Sequence, residues 1–377
     1  MHRLRLGILF ATQGAFGAPG RDARRGAELA VSHLREEGNL PFDIDLICAD
    51  PEGSSESHVD KVRILLDQGC RQVFGTVTSQ ARKDVIPVVE KRDAQLWYVC
   101  PYEGFEANEN VIYTGACPNQ HLLPLFDSLL PRFGKRVYLT GANYIWGWEM
   151  NRLAREIVVD AGGDIVGERC LPIEETEVAR LIAHVERARP DFILNNLIGP
   201  SSYAFLQAMK ALAGRNEHFN PKNCPVVSCD LTECELGDIG FGVADGQLSV
   251  ASYFDSLNTP ENLEFKSRAP SDLRRSSFFA TSYASVRMCV SAVQQVGSDD
   301  PAQIRKALTA KAHATVLGEL HFDAATNHAG LPFHLGRIDG DSFTIVKSLP
   351  VIAADPYLTL SRQTRATVTK PMLRVVS

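Results

Sequence analysis

The chain has 377 residues, is 45% hydrophobic and 22% charged, and carries a formal net charge of −6. That length exceeds one typical domain, so two lobes are expected, and the composition is that of an ordinary globular protein. The acidic balance argues against direct contact with nucleic acid, and no apolar run approaches the roughly 20 residues that insertion into a membrane needs.

Residues 4–10 are apolar, too short for a leader's apolar core, and read as a first buried strand. A Gly-rich loop is expected over 11–25, followed by a helix over 26–36. The Gly14-Ala15-Phe16-Gly17 run lacks the spacing of a phosphate loop. Strands follow at 43–49 and 72–75, with a helix over 58–68 between them. A helix over 81–91 presents Val85, Ile86, Val88 and Val89 on one side. A strand at 96–99 and a loop at 100–106 complete this stretch. After a short strand at 111–113 and a helix over 120–130, the alternation restarts: strands at 136–140, 164–170, 191–197 and 226–229, helices over 148–160, 178–188 and 202–213. The segment 247–253 reads as a strand returning toward the first lobe, and helices are expected over 260–268, 276–296 and 301–308. Residues 318–322, 337–339 and 342–347 suggest a terminal β-meander with a hairpin turn at Asp339-Gly340-Asp341. The tail beyond Pro356 is polar.

Alternating strands and helices of this length predict an α/β protein with two Rossmann-like lobes, each a parallel sheet flanked by helices. The expected division is 1–119 with 253–325 for lobe one, and 120–252 with 326–377 for lobe two. Three crossovers, near 118–121, 248–253 and 323–330, would join them around a ligand cleft.

Ligands of open parallel sheets sit beyond the carboxyl ends of the strands. Two successive strand ends here carry Thr76, Val77, Thr78 and Ser79, then Tyr98, Cys100, Pro101 and Tyr102. In the second half, Tyr144 and Trp146 follow one strand and Asp230 follows another. These supply hydroxyls, rings, a carboxylate and free N–H groups at a helix start, which suits recognition of a small polar molecule. Each has a plainer reading: Ser79 as a helix cap, Tyr98 as core, Tyr144 and Trp146 as a staple onto the next helix, and Asp230 as a cap for a helix near Thr232. Trp148 is assigned to packing. Catalysis would need an activated nucleophile with a base and an orienting acid, and no such set surrounds Cys100, so an amidase is disfavoured. The nine cysteines are scattered without a CxxC pair, so neither a metal nor a cofactor is expected.

Two segments, RKDVIPVVE at 82–90 and YVCPYEGFE at 98–106, resemble the amide-sensor and urea-receptor branch of the type I periplasmic binding proteins, which are similar to leucine/isoleucine/valine receptors. The likeness runs from Gly7 to about Tyr357. It implies a bilobal protein that closes on a short amide, urea-like or amino-acid-like ligand. Ser79, Tyr98, Pro101 and Tyr144 match ligand-facing positions of the amide sensors. Val77 and Trp146 stand where those have tyrosine, and Cys100 where they have threonine. In amino-acid receptors of the superfamily an acidic residue near Asp230 takes the ammonium group, whereas the amide sensors are neutral there. The resemblance implies a sensor that represses amidase expression through a regulatory protein, or alternatively the binding component of an ABC importer working with a permease. A homodimer is compatible with either. Free thiols and the strand beginning at Leu4 favour the cytoplasm; the periplasm is the alternative if a leader has been removed.

Overall fold

A computed structural model describes residues 3–54, 56–270 and 274–360. The polar tail from 361 onward, and with it the end of the expected second lobe, lies outside the described residues. The first stretch runs β1 (Arg3–Leu9), α1 (Gly17–Glu37), β2 (Asp43–Cys48), α2 (Ser57–Asp67), β3 (Gln72–Gly75), α3 (Ser79–Lys91), β4 (Gln95–Tyr98) and β5 (Val111–Tyr113). Its strands form one sheet in the order β2-β1-β3-β4-β5, all parallel. The chain then gives α4 (Leu122–Phe133), β6 (Arg136–Ala142), α5 (Ile145–Asp160), β7 (Asp164–Leu171), α6 (Ala179–Ala188), β8 (Phe192–Asn196), α7 (Pro200–Arg215), β9 (Val226–Ser228), α8 (Glu233–Ile239) and β10 (Leu248–Ala251). It continues with α9 (Pro260–Arg268), α10 (Ser277–Val296), α11 (Pro301–Thr309), β11 (His313–Thr315), β12 (Gly318–Leu320), β13 (Leu331–Asp339) and β14 (Ser342–Ile352). The second sheet has the order β14-β13-β10-β9-β8-β6-β7, parallel except for the β10–β13 and β13–β14 pairs.

Each sheet is covered by helices on both faces, as buried parallel strands require. Leu6, Ile8, Val73, Phe74, Leu96 and Trp97 are fully enclosed in the first sheet, and Val137, Leu139, Phe192 and Leu194 in the second. Late in the chain, α10 returns to pack along α1 and against β3. Tyr113 at the end of β5 bridges to His328, so the third passage between the sheets runs along the edge of the first.

Several boundaries differ from expectation. The loop expected over 11–25 is largely helix, because α1 starts at Gly17. Its Gly, Ala and Pro residues are there for close approach: a Cβ on Gly20 would lie 1.8 Å from the Ala11 carbonyl oxygen, and one on Gly26 would lie 2.2 Å from that of Phe279. Small residues that let backbones touch look like loop residues in sequence. The segment 318–322 does not join a terminal meander. It contributes β12, which pairs with β11, and the segment's last residue, Phe322, makes a single antiparallel bridge to Ala329, while β13 and β14 extend the second sheet. As the expected 120–252 segment has it, β10 belongs to the second sheet, pairing with β9 and β13. The two-residue turn at Gly340-Asp341 is present, with Asp339 opposite Ser342.

Candidate functional site

Six strand ends converge between the sheets. The ends of β1, β3 and β4 face those of β6, β8 and β9 across a cavity of about 40 Å³, enough for a few waters or a ligand of a few heavy atoms. Val77, Ser79, Cys100, Pro101, Tyr144, Trp146 and Asp230 all line it. Phe16 and Pro19 from the start of α1, Thr78, Ile198, Glu235 and Phe278 complete the wall. Tyr98 does not. It is fully buried beneath the site, where its hydroxyl donates to the Val77 carbonyl at 2.9 Å. As the last residue of β4 it points into the layer between sheet and helix, so its hydroxyl is already satisfied.

The lobes touch around this cavity. The Gln80 N–H donates to the Tyr144 hydroxyl at 3.2 Å, and the Phe16 and Tyr144 rings meet edge to face. The guanidinium of Arg152 lies 5.1 Å from the centre of the Phe105 ring. A Cβ on Gly199 would stand 2.4 Å from the Ala15 carbonyl oxygen, and Gly199 has φ +55°, so glycine is required there twice over.

The cap readings of Ser79 and Asp230 are corrected by their neighbours. Thr78 is the N-cap of α3, its Oγ1 accepting from the Ala81 N–H at 3.1 Å. Ser79 opens the helix and donates instead to Glu103 at 2.5 Å. Arg82 binds the same carboxylate through Nη2 at 2.9 Å and Glu106 through Nε at 2.8 Å. Lys83 joins Glu106 at 2.9 Å. Arg82 is 0% exposed and lies between the Tyr98 and Tyr102 rings, 4.6 and 4.7 Å from their centres. Burial works against ionisation of Glu106, but Arg82 and Lys83 outweigh it and hold this carboxyl down at about 2. The segments carrying the family likeness are thus also the two ends of one buried ion network.

On the opposite wall, Thr232 caps α8 in a capping box with Glu235, which leaves Asp230 free of that role. The Thr232-x-x-Glu235 spacing is a readable signal for this. Burial pushes the Asp230 carboxyl up to about 7 and that of Glu235 to about 8, the latter helped by the charge of Asp230. Glu235 accepts from the Tyr203 hydroxyl at 3.1 Å. Glu233, on the far side of α8, is raised to about 8 by the same loss of water. Among the described residues no lysine or arginine lines the cavity.

Tyr144 is the N-cap residue of α5, and Trp146 sits in its first turn with a buried indole Nε1 that has no partner. Trp148, expected to pack, is 50% exposed and donates to the Asn143 side chain. The Cys100 thiol donates weakly to the Thr76 carbonyl at 3.6 Å, and burial pushes its pKa up. A thiol so placed is a poor nucleophile. All nine cysteines are free, and among the described residues no cluster of three or more His, Cys, Asp or Glu side chains could hold a metal. Nor is any helix among them long and apolar enough to cross a membrane.

A model of the periplasmic binding protein domain matches residues 4–363. A Leu/Ile/Val-binding protein of Citrobacter freundii is 22% identical over 345 residues, 88% of this chain and 89% of that protein. An amino acid ABC transporter substrate-binding protein from Pseudomonas fluorescens Pf-5 superposes with a TM-score of 0.79 at 19% identity, covering 94% of this chain and 98% of that one. A solute-binding protein of an ABC transporter from Rhodopseudomonas palustris HaA2, solved with p-hydroxybenzoic acid, gives a TM-score of 0.83 at 16% identity, covering 95% and 100%. At these identities the structural likenesses speak for the fold.

Proposed function

The chain belongs to the periplasmic binding protein family, and from that premise we propose that it is the substrate-binding component of an ABC importer for a small nitrogen-bearing solute. The observation that carries the ligand class is the pair of carboxyls, Asp230 and Glu235, in a cavity lined by no cation. Glu235 already accepts from the Tyr203 hydroxyl and the Thr232 N–H. A carboxylate held out of water without a cation, as Asp230 is in this lining, is costly, so the site favours a ligand that brings N–H donors or positive charge. Ser79 agrees with this. Its single hydroxyl hydrogen is committed to Glu103, so toward the cavity the oxygen can only accept. Amides, ureas and amidines fit this polarity, and so does the ammonium end of an amino acid. A ligand offering only a carboxylate, such as the p-hydroxybenzoic acid bound in the Rhodopseudomonas palustris HaA2 protein, would meet two carboxyls and, among the described lining residues, no counter-charge. Cys100 without a base supports binding without turnover.

The expected division, 1–119 with 253–325 and 120–252 with the remainder, is part of this reading. The return of α10 onto α1 and of β13 onto β10 supports it. The importer reading implies a permease as partner and the periplasm as location. The second reading, a cytoplasmic sensor controlling amidase expression, draws on nine free thiols, two of them exposed. Cell fractionation separates the two. A thermal-shift screen over amides, ureas, amino acids and hydroxybenzoates tests the ligand class. Ligand at 100 times its Kd stabilises by about 2.7 kcal/mol. Stabilisation by nitrogen-bearing solutes is expected; a response to benzoates alone would overturn the proposal.

A further inference from the structure

Behind Asp230 lies a second chamber of about 20 Å³, between the first and second passages of the chain from sheet to sheet. Pro101 and Asp230 line both spaces, so they form the partition. The far wall holds Gln120, His121, Thr232 and Ser252. Gln120 is fully used: its Nε2 donates to the Ala329 and Ile352 carbonyls and its Oε1 accepts from the Cys117 N–H. His121 is not. It is 2% exposed, and its Nδ1 has no partner. Its Nε2 lies 3.1 Å from the Tyr102 carbonyl oxygen, which can only accept, so Nε2 carries the hydrogen and Nδ1 is a bare acceptor. Burial holds the imidazole neutral, with its pKa lowered to about 4.

The His121 ring sits 5.9 Å, centre to centre, from that of Trp146, whose Nε1–H is likewise unpartnered and which lines the main cavity. A residue with an unpaired acceptor therefore lines one space and a residue with an unpaired donor lines the other. Buried polar groups in native proteins are nearly always paired, and those left over at a binding site are paired by what binds.

Building on the ligand class proposed above, we propose that His121 recognises the ligand: an –NH2 group reaches past Asp230 into the second chamber and donates to His121 Nδ1, while a carbonyl or equivalent acceptor meets Trp146 Nε1. The chamber takes a primary amide, urea or amidine nitrogen and rejects an N-alkylated one, because about 20 Å³ leaves no space for an added methyl.

The test is calorimetric titration of acetamide, urea and guanidinium chloride, with N-methylacetamide and N-methylurea as counterparts, into the wild-type protein and His121→Phe. At least one parent compound should bind the wild type, its N-methyl form about tenfold or more weakly, and His121→Phe should weaken the parent by about tenfold, the equivalent of one lost hydrogen bond. If His121→Phe does not fold, nitrogen-15 NMR of histidine-labelled wild type replaces it: the Nδ1 resonance of His121 should move on binding. Equal affinity in the variant, or an unmoved resonance, would mean that the chamber holds only water, and would overturn the inference while leaving the ligand class intact. A wild type that binds none of the three compounds also overturns it; binding of L-alanine in that case would keep the broader reading.

Discussion

On its two sides the cavity has carboxylates handled in opposite ways, one set behind Ser79 and the other in the lining itself. On the first, Glu103 and Glu106 are matched by Arg82 and Lys83, and the cation is itself stacked between two tyrosines. On the second, Asp230 and Glu235 have no cation beside them in the lining. Burial acts to raise Glu106, Asp230 and Glu235 alike; Glu106 is nonetheless held low by its cations, while Asp230 and Glu235 are raised. The contrast teaches that carboxyls on the first side are matched within the protein, whereas on the second the proposed reading leaves their match to a ligand.

The sharpest way to break the comparison is to remove the match on the first side. Arg82→Ala takes the close cation from buried Glu103, leaving it the Ser79 hydroxyl and Lys83 at 4.0 Å, and leaves Glu106 with Lys83 as its cation. It should destabilise the fold by about 3–5 kcal/mol, read as a drop in the midpoint of urea unfolding. A loss under about 1 kcal/mol would mean that the network is idle.

The next effect is titration of the second wall. The folded-state pKa values of Asp230 and Glu235 lie above their unfolded values, so the stabilisation they lend is complete below about pH 4 and is lost as pH rises through about 7 and 8. The ligand-free protein should therefore melt at lower temperature at pH 8 than at pH 6. A cationic ligand should reduce that fall and release protons on binding, measurable as calorimetric heats that vary with buffer. Glu106 gives the opposite sign: its contribution is present above about pH 4.5 and fades as pH falls toward about 2.

Asp230→Asn isolates one carboxyl. It should weaken a cationic ligand by about 1–3 kcal/mol in titration calorimetry, about ten- to a hundredfold, and a neutral amide much less. Unchanged affinity for an amine-bearing ligand would remove Asp230 from the site. The smallest effect belongs to Tyr98→Phe. It frees the Val77 carbonyl and should cost about 0.5–1.5 kcal/mol in unfolding, with ligand affinity unaltered. A large change in affinity would return Tyr98 to the list of ligand contacts.

The pattern of legibility follows distance along the chain. Apolar strands ending in hydroxyl, ring and carboxylate residues can be read locally, and the rule about strand ends then gathers Val77, Ser79, Cys100, Pro101, Tyr144, Trp146 and Asp230 without any coordinates. What stayed hidden was pairing. Ser79 and Arg82 meet Glu103 across 24 and 21 residues, and nothing in either segment alone says that they will. His121 and Phe278 come from passages between the sheets and from a returning helix, whose placement depends on the whole topology. The start of α1 was missed for a different reason, since residues chosen for close contact carry no periodic apolar signal. The capping box at Thr232 was visible in sequence and, weighed properly, separates Asp230 from a structural role.

The return of α10 onto α1 also sets an order of assembly. The Gly26 backbone is pressed against Phe279, some 250 positions later in the chain. A ribosome that has released the whole second sheet up to β10 has still not supplied the helix that seals the first. The part of the molecule made first thus waits for a late helix, and its apolar α1 face stays uncovered for most of synthesis. Contacts so far apart in sequence slow folding and lengthen exposure to aggregation, and for the N-terminal third of this chain that exposure ends only once residue 296 has emerged.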